Sequence, residues 1–521
     1  MCKLKKFNYE IFFWVALFGL IIYLFQNNIL SADDEYCNFL EEDKISLWRH
    51  YFYGTWIMPF QNFILYYLPY KLSQFSFIPR INLQDWAQTV GVTFEASVIT
   101  ILMVYFSKFF KLFGVEKAVR LLSTFFIFIM FIYCMYRIQF IEFIIYTAFF
   151  RFIIPVVMMV IFLYYLYKLV INEKVNIYLL SLYAILMASA SEESGVITIM
   201  SCVLLSVYAI FTKQEYTKKL IILTGFLIAG LLLLVLSPGF QDHVHFKLTE
   251  TKENYLSTIL GYVIPYTKVY VRQLFVYNKW AFTLFIILLF IPTNNEKYKS
   301  EKPFAVSLIL SCLAFCYSLI FLGNTLNDSD FWIIHPDIYS IVYIVFLTIL
   351  VVLSHNFLDF YAKTEKLKLL LITLIILFLP SFCMQASSLK SLISNIKDVT
   401  YLRDKLVLYY LQFQEDIVLP YAVYRDNIYK LQENMDINFF DFLNSSCDFY
   451  DFENHKKVSD LEFRNMLHNY YRYVYNFTNL PNNYNLIYMD GESSRMYLLN
   501  HGGNYNEISS HKYRFSDLDI K

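Results

Sequence analysis

Charge is what this sequence has least of. Only 17% of its 521 residues are Asp, Glu, Lys or Arg, and the two signs balance at 43 each. Bulk charge therefore predicts no nucleic-acid partner. Cysteine is also sparse. Of the eight, Cys134, Cys202, Cys312 and Cys316 fall inside apolar segments, and Cys2 precedes the first. Cys37, Cys383 and Cys447 remain, and their spacing gives no disulfide framework. Zinc-ligand spacing, a phosphate-cradling glycine loop and a nucleophile elbow are all missing, as are internal repeats and low-complexity linkers.

Apolar sequence is abundant instead: 58% of the chain is hydrophobic and 20% aromatic, outside the usual range for a soluble domain. A spanning helix needs about 20 mainly apolar residues. Spans are predicted over 10–30, 88–107, 119–136, 146–170, 177–191, 195–211, 219–237, 276–293, 303–322, 337–354 and 367–384, about eleven in all. The pair 177–191 and 195–211 can also be read as one helix broken near Ser194-Gly195. The first segment has no clear small-residue cleavage site and is read as a span, not a cleaved signal.

Basic loops are expected in the cytoplasm. Lys3, Lys5 and Lys6 place the N-terminus there, and every second loop carries lysines or arginines: Lys108, Lys111, Lys117 and Arg120, then Lys213, Lys218 and Lys219, then Lys297, Lys299 and Lys302, then Lys363, Lys366 and Lys368. The alternation holds only if 177–211 crosses twice. The expected architecture is an all-α polytopic protein of the cytoplasmic (inner) membrane over 1–384. Its outer loops are 31–87, 238–275 and 323–336, and a small soluble α/β or α+β extracytoplasmic domain follows over 385–521. In that tail, 387–412 reads as a helix, Asp416–Pro420 as a strand, and Leu486–Met489 with Arg495–Leu499 as a hairpin turned at Asp490-Gly491.

The polar exceptions carry the chemistry. Asp33 and Asp34 follow the first span directly. One could accept a proton from a hydroxyl while the other orients it or holds a divalent cation; the bland reading is a solvated acidic loop continued by Glu41-Glu42-Asp43. Glu192 and Glu193 interrupt an apolar stretch at a turn, where they either line an outer cavity or simply sit in water. Glu95 lies inside a span and should face protein or a substrate cavity instead of lipid, where it could pair with a basic residue such as Arg137. His335 and Asp337 stand at the outer end of another span, as a cap or as cavity lining. His243, His245, Lys247, Lys268 and Arg272 follow Pro238-Gly239 and suit either a phosphate or membrane headgroups. His243-Val244-His245 offers two ligands only, so no metal site is assigned there.

This layout resembles the GT-C class of integral-membrane glycosyltransferases, which place an acidic residue or pair in the first outer loop, as Asp33-Asp34 stand here. It is most similar to bacterial multi-pass proteins of unknown function related to that class. The likeness extends to the aromatic segment Trp48–Asn62, an acid at a mid-protein turn (Glu192 or Glu193), Ser237-Pro238-Gly239 and a soluble tail. It departs at Ile57-Met58 and at Phe240. The resemblance implies an inverting transfer from a polyprenyl-phosphate sugar, docked in membrane lipid, to a glycan, lipid or protein acceptor. Asp33 or Asp34 would be the base, and the basic loop would hold the donor phosphate. Two other classes stay open: a transporter or flippase using Glu95 with Glu192-Glu193, and a surface-polysaccharide polymerase.

Overall fold

A computed structural model describes residues 9–27, 63–73, 86–138, 149–237, 301–325, 336–361, 366–413, 417–420 and 486–489, with a few positions at 56, 57, 60, 496, 498–500, 502, 503 and 507. These are almost entirely helical. In chain order the helices are α1 (Tyr9–Phe25), the short α2 (Leu68–Ser73), α3 (Val92–Leu112), α4 (Lys117–Ile138), α5 (Ile154–Val170), α6 (Ile177–Ala188), α7 (Glu192–Phe211), α8 (Thr217–Val235), α9 (Glu301–Thr325), α10 (Pro336–Tyr361) and α11 (Lys366–Phe413). Ten of the predicted spans coincide with these helices; the segment 276–293 lies outside the described residues. By length and composition, four helices among the described residues are apolar and long enough to cross a membrane: Ala87–Leu112, Glu192–Phe211, Thr217–Val235 and Lys368–Lys390.

Local chemistry sets the helix ends. Asn176 caps α6 by accepting from the Tyr178 and Leu179 amides at 3.1 and 3.3 Å, and Pro155 fits the first turn of α5, where its missing N–H is not needed. Gly114 ends α3 with φ +72°, and the next amide, Val115, donates back to the Phe110 carbonyl at 3.4 Å. Asn172 and Lys213 close α5 and α8's predecessor α7 in the same left-handed conformation. Single π-helical turns, Ala87–Gly91 and Phe149–Ile153, lead into α3 and α5. The sequence pattern carries no signal for them.

Between 177 and 211 the chain forms two helices, and the break falls at 189–191, ahead of Ser194-Gly195. The packing of α6, α7 and α8 depends on glycine. A Cβ on Gly195 would stand 3.0 Å from the Ala188 carbonyl oxygen, and one on Gly230 would stand 2.5 Å from the Ile185 carbonyl oxygen. Interior hydroxyls join other helices: Tyr343 on α10 donates to the Met130 carbonyl of α4 at 3.1 Å, Tyr183 on α6 to Met158 of α5 at 3.0 Å, and Ser201 on α7 to Ser311 on α9 at 3.0 Å. Where apolar surface on both sides removes the hydrophobic drive between helices, close approach and such bonds hold them together.

The helix ends sort into two groups. At one, here the basic end, Glu10 on α1 meets Lys117 at 3.0 Å and Arg120 at 2.7 Å on α4, and Glu116 meets Lys368 on α11 at 2.8 Å. The sequence assigns all of these to one side of the membrane, and the structure gathers them.

The tail differs from expectation in two ways. The helix read over 387–412 is not separate: α11 runs unbroken for 48 residues, through Pro380, to Phe413. The strand Leu486–Met489 is present, but it pairs in parallel with Ile417–Pro420, in register Ile417 with Leu486 and Pro420 with Met489. The expected hairpin partner over 495–499 is helical at its described positions, Met496, Leu498 and Leu499. Leu498 is buried there.

Candidate functional site

The end opposite the basic one carries Glu95, Glu192 and Glu193. Ser191 takes an extended conformation (φ −160°, ψ 140°) and caps α7, accepting from the Ser194 amide at 3.3 Å. The same hydroxyl donates to the Glu193 carboxylate. Glu192 and Glu193 thus occupy the first turn, where the exposed amide ends of the helix favour negative charge. Glu193 is only 8% exposed. It reaches that burial with a hydrogen-bond donor in place, as a buried carboxylate requires.

Glu95 sits in the first turn of α3 and is 1% exposed. Its neighbour Phe94 stacks on Phe150, with centroids 4.9 Å apart and planes 7° from parallel, and Phe60 leans on both at 5.8 and 6.4 Å. Arg137, proposed as a partner for Glu95, lies in the last turn of α4. Since α3 and α4 are consecutive helices packed on one another, both residues fall at this end; the Arg137 side chain is outside the described residues.

Residues of the aromatic segment between α1 and α3 tie these acids together. The Trp56 indole N–H donates to the Leu186 carbonyl at 3.0 Å, six residues ahead of Glu192. Phe60, four residues on, meets Phe94 beside Glu95. Trp86 then donates to the Ile64 carbonyl at 3.0 Å, and Gln88 to the Gln26 carbonyl just past α1 at 2.6 Å. The segment therefore straps the ends of α3, α5 and α6, and the Gln26–Gln88 bond fixes the point where the chain leaves α1.

Of the residues singled out in the sequence, Glu95, Glu192 and Glu193 are brought to one end of the bundle. Asp33, Asp34, His243, His245, Lys247, Lys268, Arg272 and His335 lie outside the described residues. Among the described residues, no cluster of three or more His, Cys, Asp or Glu could hold a metal ion. Sequence reading missed the role of Ser191, although a serine just ahead of two acids and an apolar run is a helix-start signal. It also missed Trp56 as an anchor, for which no local signal exists.

No protein-family model, curated protein or solved structure matches this chain.

Proposed function

We propose that this chain is a membrane glycosyltransferase, moving a sugar from a polyprenyl-phosphate donor to a glycan, lipid or protein acceptor at the end of the bundle opposite the basic one, taken as the outer face. The observation that carries the reading is the strap. It gathers Glu95, the Glu192-Glu193 turn and the exit of α1, seven residues before Asp33, at one end of an apolar bundle.

In this reading Asp33 or Asp34 takes the proton from the acceptor hydroxyl as its oxygen bonds to the sugar's anomeric carbon. The bond from that carbon to the phosphate breaks, inverting the centre, and the phosphate leaves with the electron pair. Lys247, Lys268 and Arg272, with His243 and His245, neutralise the leaving phosphate. Glu193 and Glu95 orient sugar hydroxyls, and His335 lines the cavity. A divalent cation held by the acidic pair would make the transfer sensitive to EDTA.

The test is Asp33→Asn and Asp34→Asn, read as cell-surface glycan and as sugar transfer in reconstituted membranes. Removing a general base should lower the rate by about 100-fold or more. Unchanged glycan in both variants overturns the reading.

Transport is the second reading, and the burial of Glu95 within a helix long enough to span favours it. Uptake by vesicles that is lost in Glu95→Gln and kept in Asp33→Asn would select it.

A further inference from the structure

α6 has 12 residues, which gives a length of about 18 Å at 1.5 Å per residue. Asn176 caps its start and a turn at Ser189-Ala190 follows its end, so polar groups bound it on both sides. α8 packs alongside with 19 residues, about 28 Å, close to the roughly 30 Å of a hydrocarbon layer. The glycine contact sets their register. Gly230 stands level with Ile185 and Ala188, so α8 overhangs α6 at both ends. Each helix turns an apolar face outward: Tyr178, Leu179, Leu182 and Leu186 are exposed on α6, and Ile221, Phe226, Leu232 and Leu233 on α8. No charged residue occurs over 177–188 or 220–236. The α8 face is long enough to span, and the α6 face beside it continues the same apolar surface, so lipid covers both.

Trp and Tyr gather at the two surfaces of a bilayer, and along α6 they stand close together. At the outer end the Trp56 indole, 39% exposed, donates to the Leu186 carbonyl. At the basic end Tyr178 is 84% exposed. Those two positions on the helix are about 12 Å apart. Other tyrosines share the level of Tyr178. Tyr183 donates to the Met158 carbonyl, and α5 runs antiparallel to α6, which brings the first turn of α6 level with Tyr164 and Tyr165. Tyr105 of α3 meets those two rings at 5.5 and 6.4 Å. One turn nearer the basic end, Lys108 lies over the Tyr105 ring at 3.9 Å, and Lys168 stands one turn beyond Tyr164. Tyrosines followed by lysines are what an inner bilayer surface at this level would meet.

A bilayer accommodates a helix shorter than its own thickness by thinning, by snorkelling of flanking side chains or by oligomerisation of the helix. The narrow aromatic spacing favours the first. We propose that the lipid bilayer thins along the α6 face, where its two headgroup layers approach to about 18 Å, while the α8 face keeps a layer of ordinary thickness. Beside α6 a polar headgroup then has the least hydrocarbon to cross. The inference concerns the lipid surface alone and stands whichever reaction the outer end performs.

The experiment places a lysine at the middle of each lipid-covered face, Leu182→Lys on α6 and Phe226→Lys on α8, each compared with methionine at the same position. Thermal unfolding is read on the full chain reconstituted in phosphatidylcholine vesicles with acyl chains of about 18 carbons. An ammonium at 182 has about 9 Å to reach a headgroup layer and one at 226 about 14 Å. The lysine stem covers the shorter distance more readily. The fall in melting temperature from methionine to lysine should therefore be about twice as large at 226 as at 182. Shortening the chains to about 14 carbons should lessen the fall at 226 and leave that at 182 unchanged. Equal falls at the two positions, or a larger one at 182, overturn the proposal. A difference that chain length does not alter reports packing and overturns it too. If a lysine variant does not fold, glutamine replaces lysine at both positions and the same comparison is judged in the same way.

Discussion

At the basic end of the bundle, α1, α4 and α11 are joined through Glu10, Lys117, Arg120, Glu116 and Lys368. At the opposite end the corresponding ties are mostly neutral: Trp56, Trp86 and Gln88 each donate to a main-chain carbonyl. The contrast follows from what each end must do. Short basic loops orient a membrane protein by their charge, and once present that charge can be used to join helices. Long loops need fixed attachment points instead, and a donor aimed at a carbonyl supplies direction and distance. Ion pairs weaken as salt screens them, whereas neutral hydrogen bonds do not, so the two ends should respond differently to the same perturbation.

The largest effect is expected from Gly230→Ala, at the neutral end. Its Cβ would meet the Ile185 carbonyl oxygen at 2.5 Å and Ala188 Cβ at 3.0 Å, and overpacking of this kind costs about 3 kcal/mol. Thermal unfolding in micelles checks this, and unchanged stability would mean that α6 and α8 are not in such close contact. Arg120→Ala should come next. Arg120 is largely buried while Glu10 is 30% exposed, so the loss should be about 2 kcal/mol, below the range for a fully buried pair. That loss should shrink in high salt. Trp56→Phe keeps the ring and removes the N–H, for a loss of about 1 kcal/mol that salt leaves alone. If the Trp56 loss shrinks with salt as much as the Arg120 loss does, the contrast between the ends is wrong.

Much of the helical frame was legible because apolar runs of spanning length are long signals, and basic residues mark alternate loops. Asn176 and Ser191 illustrate how caps sharpen the boundaries. What could not be read depended on partners far along the chain. Strand Leu486–Met489 was placed correctly, yet its pairing with Ile417–Pro420 crosses 65 intervening residues, and a nearby turn signal suggested a local hairpin. Trp56 finds Leu186 across 130 positions. For the candidate site, the acids Glu192 and Glu193 announced themselves by interrupting an apolar run, but which of the two turns inward depends on the Ser191 cap.

α11 has a mechanical consequence. Its apolar stretch, Lys368–Lys390, already measures about 33 Å at 1.5 Å per residue, enough for a hydrocarbon layer. The helix then continues to Phe413, about 35 Å further. Along it, Lys390 Nζ rests over the Tyr23 ring of α1 at 3.5 Å, and the Tyr409 hydroxyl lies where a Cβ on Gly503 would come within 3.0 Å. A rod built this way transmits torque. Rotation or tilt imposed on the helix beyond Lys390 reaches Tyr23 of α1 with no proline between. The place for it to bend is Pro380, where the main-chain bond to the Ile376 carbonyl cannot form. Whatever the tail binds, it holds the long arm of a lever whose fulcrum lies inside the bundle.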